Sequence, residues 1–276
     1  MDLRDPMQTD RLRPDAVLSP LDGADDPAPL GPFALIPRQD EWDRVYAVGD
    51  VHGRLDLMIA LEDKIRADLD RQPVPRPLIC YLGDLIDRGP DSRAVIDHLI
   101  DPPDDGVARL ALLGNHEQRM LDFLGDPAVG PAWLKLGGRQ ALRSYGASIS
   151  ERPSAKDFVR LRRALLAALP ESHSCFLRSR PRALAWRNFV LVHAGIDPAR
   201  PLLRQRPDDL IWIRAPFLSA TNDFGAIVVH GHVMVDRPDV KSNRIAIDTG
   251  AWKTGHLTCV VLDDDAGRNA PRFLST

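Results

Sequence analysis

Six polar endings in this chain carry residues of related chemistry. "GDVHG" supplies Asp50 and His52, and "GDLIDRG" supplies Asp84, Asp87 and Arg88. "GNHE" supplies Asn115, His116 and Glu117. "HAG" supplies His193, "HGH" supplies His230 and His232, and "IDTG" supplies Asp248. Carboxylate, imidazole and amide oxygen are the donors that a hard-to-borderline divalent cation prefers. Converged without a cation, these groups would repel one another or desolvate badly. Arg88 adds paired N–H donors that fit the oxygens of a phosphate. Each ending alone is weak: an Asp-x-His is usually a turn, and an "NH" is usually a helix cap. Six in series point to one site that holds a cation and an anion together.

Each ending follows a short apolar run. The runs are "RVYAVGDVHG", "LICYLGDLIDRG", "RLALLGNHE", "FVLVHAG", "AIVVHGH" and "RIAIDTG". Runs this short and rich in Val, Ile and Leu read as buried strands. Helical spacing appears over 55–69, 92–100, 117–124, 131–146 and 154–169. Alternating strands and helices give an α/β class, and read alone they suggest a single doubly wound sheet. In such sheets ligands gather outside the carboxyl ends of the strands, where all six endings would lie.

The bulk composition bounds the function. The 276 residues suffice for one large domain or two small ones. A formal net charge of −3 argues against a stable nucleic-acid complex. No apolar segment reaches the roughly 18–20 residues of a membrane span, and "MDLRDPMQTD" lacks the apolar stretch of a signal peptide. Cys80, Cys175 and Cys259 are irregularly spaced, and Cys80 and Cys259 sit in apolar runs as buried, inert thiols. A reducing, cytoplasmic setting is expected.

"GDVHG" (49–53), "GDLIDRG" (83–89) and "GNHE" (114–117) resemble the three signatures of the phosphoprotein phosphatase family of metallophosphoesterases. "HAG" (193–195) and "GH" (231–232) resemble its two later histidine motifs. The "HAGIDPARPL…LIWIRAPFL" stretch is similar to the bacterial serine/threonine protein phosphatase branch. The resemblance covers about residues 44–262. It implies a calcineurin-like β-sandwich of mixed sheets flanked by helices, in place of the single sheet.

It also implies two divalent metal ions. Asp50 and His52 would hold the first, Asp84 would bridge both, and Asn115, His193 and His232 would complete the second. Manganese is expected from the bacterial members, and mixed O/N ligands also suit iron or zinc. His116 is implied as general acid, Asp87 as the partner that orients it, and Arg88 and Arg214 as the phosphate grip, with Asn115 also near the phosphate. Helix N-cap is the other reading of Asp87, although Asp91 or Ser92 is better placed for that. Met234 stands where many metallophosphoesterases carry a second histidine of G-H-x-H, so His232 takes the ligand role. His230 and Asp248 are expected to support the ligands from behind. His98, His173 and His256 match no motif and read as structural or surface residues.

The implied activity is a metal-dependent phosphomonoesterase acting on phosphoserine or phosphothreonine in proteins, by attack of a metal-bridging hydroxide. The alternative is a symmetrical dinucleoside tetraphosphate hydrolase, or an RNA 5′-end pyrophosphohydrolase, which would make a nucleotide the substrate. An inactive phosphate-binding module is the remote alternative.

Residues 1–40 mix Asp, Pro and Gly without a period and read as a disordered or loosely attached acidic tail. Residues 41–265 form the expected catalytic domain, and 266–276 a C-terminal tail. Within the domain, 126–180 read as a helical, basic cap. Residues 126–190 hold twelve Lys or Arg and four acids, 12 − 4 = +8 in a net-negative chain. A solvated helical face explains this charge. A cap that draws anionic substrate inward is the sharper reading, and a tail lying across that cap is a weaker one.

Overall fold

The computed structural model describes residues 34–35, 42–103, 106–148, 150–263 and 271–276. Its first half runs β1 (Ala34–Leu35), β2 (Arg44–Val48), α1 (Leu55–Arg71), β3 (Pro77–Tyr81), α2 (Ser92–Ile100), β4 (Ala108–Ala111) and α3 (Asn115–Gly125). Four helices follow: α4 (Gly130–Leu136), α5 (Gly138–Ser144), α6 (Ala155–Ala168) and α7 (Glu171–Arg178). The second half holds β5 (Ala183–Trp186), β6 (Phe189–Val192), α8 (Asp209–Trp212), α9 (Ala215–Leu218), β7 (Ile227–His230), β8 (Asp239–Val240) and β9 (Arg244–Ala246). It closes with α10 (Ala251–Thr254), β10 (Thr258–Leu262) and β11 (Arg272–Ser275).

The strands form two mixed sheets. One has the order β11-β10-β2-β3-β4, the other β1-β5-β6-β7-β9-β8. β2, β3 and β4 are mutually parallel, and so are β6, β7 and β9. These are the six runs expected from the sequence, so three polar endings leave each sheet at its carboxyl edge.

Side-chain alternation explains the layers. Val45 and Ala47 of β2 face a core shared with Phe189 and Leu191 of β6, between the sheets. Tyr46 and Val48 face a second core with Met58, Leu61 and Ile65 of α1. Val190 and Val192 face a third with Leu210, Ile211 and Phe217. Both faces of each central strand are therefore buried, which is why these strands read as continuous apolar runs.

The two mixed sheets are the sandwich that the family resemblance implies, and not the single doubly wound sheet that the strand pattern alone suggests. A helix layer and a second sheet bury a strand face equally well, so no single run discloses which one covers it. The helix expected over 131–146 is broken by Gly137, whose φ of +114° belongs to the left-handed region. The run starting at Glu117 begins two residues earlier, at Asn115. The tail expected at 266–276 is corrected in part, because Arg272–Ser275 pair antiparallel with β10. The acidic tail lies outside the described residues, except that Ala34–Leu35 pair in parallel with Leu184–Ala185 of β5. No helix among the described residues is long and apolar enough to cross a membrane. Cys80 and Cys259 are buried and free, and Cys175 is exposed.

Candidate metal centre and phosphate site

Turns at the carboxyl ends of the parallel strands bring Asp50, His52, Asp84, Asn115, His116, His193 and His232 together. Asp84 lies between two groups of potential ligands. On one side are His52 and His116, and on the other His193 and His232, with ligand atoms within 4.8 Å of one another in each group. His52 Nε2 is 3.6 Å from Asp84 Oδ2 and 4.0 Å from Asp50 Oδ2. His193 Nε2 is 3.4 Å from Asp84 Oδ1.

The histidine tautomers suit cation binding. His52 Nδ1–H donates to the Ile86 carbonyl at 2.9 Å, and His193 Nδ1–H to the Leu82 carbonyl at 3.0 Å. Each bond leaves the Nε2 lone pair facing the cluster, the usual arrangement of a metal-ligating histidine. His193 Nε2 then meets Asn115 Oδ1 at 2.9 Å, two lone-pair atoms face to face. A cation would turn that repulsion into ligation. The mixed O/N donor set therefore fits divalent metal ions.

Charge crowding supports the same fit. Burial, then Asp248 and Asp84, hold the Asp50 carboxyl well above the usual carboxylate range. Burial also raises Asp84, against the pull of His116 and Arg88. Burial pushes His193 down to about 3 and His232 down to about 2. A cation would offset the cost of ionising these carboxylates together.

A buried pair stands beside the cluster. His116 Nδ1–H donates to Asp87 Oδ2 at 2.8 Å, and its Nε2 lies 3.6 Å from Asp84 Oδ2. Asp87 also accepts the Trp133 indole N–H, at 2.9 Å to Oδ2. Trp133 lies on α4, so the inserted helices hold the partner of His116. Asp87 is no helix cap: its own N–H donates to Ser92 Oγ at 3.0 Å, and Asp91 occupies the N-cap position of α2.

The sequence pattern of calcineurin-like phosphoesterases matches residues 43–251. The chain belongs to this family. It is 34% identical over 226 residues to serine/threonine-protein phosphatase 1 of Salmonella typhimurium, across 79% of this chain and 91% of that protein. It is 27% identical over 233 residues to an asymmetrical bis(5′-nucleosyl)-tetraphosphatase of Bacillus velezensis, across 76% of this chain and 86% of that one. Its fold matches a crystal structure provisionally described as a diadenosine tetraphosphatase, with a TM-score of 0.58 and 21% identity, covering 88% of this chain and 96% of the other. As a calcineurin-like phosphoesterase it is a hydrolase, in a family that uses divalent metal ions.

In this phosphoesterase both expected arginines reach the cluster. Arg88 Nη2 lies 3.3 Å from His116 Nε2, and Arg88 Nε donates to the Leu136 carbonyl at 3.3 Å. Arg214 Nε donates to His232 Nε2 at 3.2 Å, so this bond and ligation by the same nitrogen exclude each other. His230 stays out of both ligand groups, buried against the Phe217 ring at 5.0 Å. Asp248 accepts the Gly250 N–H at 2.9 Å and fixes the start of α10 behind Asp50. His98, His173 and His256 bond to Glu62, Asp97 and the Thr276 carbonyl, away from the cluster.

Glu117 has a part that motif reading left without a role. Its carboxylate accepts four backbone N–H groups: Asp84 at 2.9 Å, Leu85 at 2.8 Å, Ile86 at 3.2 Å and Gly114 at 2.9 Å. The turn it grips and two neighbouring turns of the cluster are strained. His52, Asp84, Asp87, Arg88 and His232 have φ between 47° and 71°, and among the described non-glycine residues only Arg187 joins them in that region. Left-handed non-glycine residues cost of order 1–3 kcal/mol each and persist where surrounding contacts over-determine them. Close approach also demands glycine at Gly114, where a Cβ would lie 2.2 Å from the Asp84 nitrogen. The position of Glu117 in "GNHE" was the signal for its role, whereas nothing in the local sequence marked Trp133.

Proposed function

We propose that this protein is a metal-dependent phosphomonoesterase that hydrolyses phosphoserine and phosphothreonine in proteins. Asp50, His52 and Asp84 would hold one cation, and Asp84, Asn115, His193 and His232 a second, with manganese the favoured metal. When bound, such ions supply Lewis acidity toward phosphate oxygens and an acidified water. Arg88 and Arg214 bind and orient the phosphate, and His116 delivers the proton to the leaving oxygen.

The buried Asp87–His116 pair carries the choice of an ester. Its 2.8 Å bond holds one proton on Nδ1 and directs Nε2 at the site, so the proton delivered to the leaving oxygen is a second one, carried on Nε2 of the imidazolium that Asp87 stabilises. A serine or threonine alkoxide is a poor leaving group, and its protonation is worth roughly 10²–10⁴ in rate. An anhydride releases phosphate oxygen, which needs little protonation. The similarity to bis(5′-nucleosyl)-tetraphosphatases favours the second reading, cleavage of a dinucleoside polyphosphate or an RNA 5′ end.

Phosphopeptide, diadenosine tetraphosphate and triphosphorylated RNA, compared at defined metal, discriminate these readings. The phosphopeptide is expected to show the highest kcat/KM. A tenfold or greater preference for diadenosine tetraphosphate or RNA would replace the first reading with the second. Metal binding without turnover of any of the three would leave an inactive module.

A further inference from the structure

Seven large apolar side chains are exposed among the described residues, Met234 and Trp252 among them. Trp252 is 38% exposed and Met234 39%. Isolated exposed apolar residues need no explanation, but Trp252 packs against Arg88, the proposed phosphate clamp, and Met234 packs against Gly250, two residues before Trp252. The Arg88 guanidinium carbon lies 5.0 Å from the Trp252 ring centre, a cation–π contact. The Met234 thioether sits against Gly250, where an added Cβ would lie 2.8 Å from its methyl group.

The ring is carried on a fixed support. α10 starts at Gly250, whose φ is +72° and whose N–H is held by Asp248 at 2.9 Å. Arg54 Nη1 donates to the Ala251 carbonyl at 3.0 Å, and Thr254 Oγ1 to the Thr249 carbonyl at 2.8 Å. The support that places Trp252 therefore runs back through Asp248 to the ligand Asp50.

We propose that Trp252 and Met234 form a leaving-group platform for phosphomonoesters whose ester oxygen carries an aromatic ring. The proposal rests on the reading of Arg88 as the phosphate clamp. A phosphate bonded to that guanidinium has its phosphorus about 4 Å from the guanidinium carbon. The phosphorus then lies within about 9 Å of the indole centre, which admits one aromatic ring at a stacking separation of roughly 4.5–7 Å. The site thereby extends from alkyl esters to aryl esters. Trp252 and Met234 act on ligand choice and take no part in the chemical step.

Phenylphosphonate and methylphosphonate share a head group, cannot be hydrolysed and differ in the ring alone. Their affinities for metal-loaded protein, measured by calorimetry and by competition with nitrophenyl phosphate, test the platform. Phenylphosphonate is expected to bind about 3–10-fold tighter to the wild type. In Trp252→Ala, methylphosphonate should weaken by about 2–5-fold through loss of the ring beneath Arg88. Phenylphosphonate should weaken further, until the ratio approaches one. Trp252→Phe should keep most of the ratio, and Met234→Ala should reduce it. An unchanged ratio in Trp252→Ala, or a wild type that prefers methylphosphonate, overturns the platform and leaves the clamp intact. Binding of neither ligand would overturn the clamp reading and the platform together.

Discussion

Replacing Glu117 with Gln keeps the volume and removes half of the acceptors. Oε2 accepts from Asp84 and Gly114, while Oε1 accepts from Leu85 and Ile86. A glutamine oxygen can serve one pair only, and its NH2 group then faces the two remaining N–H donors. Each buried donor left without an acceptor costs about 1–3 kcal/mol, so the pair costs about 2–6 kcal/mol. A domain of this kind is stable by about 5–15 kcal/mol, so that loss is a large share. The same clamp holds Asp84 at φ 48°, ahead of Asp87 and Arg88 at 71° and 63°. Its loss frees the turn to relax and moves Asp84 away from its ligand geometry. Metal affinity is expected to fall about 10–100-fold, as it does for other residues that orient ligands. Urea unfolding with a chelator present measures the first quantity, and competition with a metal indicator the second. Wild-type values for both would refute the assignment of Glu117 as the residue that fixes the Asp84 turn.

Three further outcomes are expected. His116→Asn should lower kcat for alkyl phosphates by roughly 10²–10⁴ with metal content intact, and much less for nitrophenyl phosphate; equal loss on both would remove the proton-donor role. Burial works to raise the Glu62 pKa, but hydrogen bonds from His98, Arg109 and Tyr81 outweigh it and bring the group down to about 2. A depressed carboxyl stabilises the fold above its unfolded value of about 4.5, so roughly 3 kcal/mol should be lost as pH falls from about 4.5 to about 2. Acid titration of stability should therefore be flatter over that window in Glu62→Gln, and parallel curves would count against the network. Arg160 and Arg163 are exposed on α6, whereas Arg162 Nε is tied to the Leu124 carbonyl at 2.7 Å. Reversing Arg160 and Arg163 together should lower kcat/KM for anionic substrates at low salt and little at high salt; salt-independent kinetics would rule out steering by the insertion.

The strands that matter most were legible because each satisfies a local demand. β2, β3, β6, β7 and β9 are buried along almost their whole length, β4 is a half-buried edge strand, and all six end in glycine-bearing turns. β1, β5, β8, β10 and β11 are not marked by the sequence pattern. No polar ending of this kind comes after β5, β10 or β11, and β1 and β8 are two residues long each. The insertion was legible as helical and basic, but Gly137 divides one expected helix, and α7 lies beyond the last helix expected from the sequence.

The sequence by itself determined which donor types stand at the ends of the strands. Donor types are a property of individual residues, and here each donor sits within a few residues of the strand that delivers it. Tertiary structure decided which donors face one another and what braces them. Trp133 reaches Asp87 across 46 residues of chain, and His193 reaches Asn115 across 78. Trp252 lies beneath Arg88 from an element after the last ligand strand. Such contacts arise when two sheets pack and an inserted helix closes over their edge, and no local pattern encodes that approach.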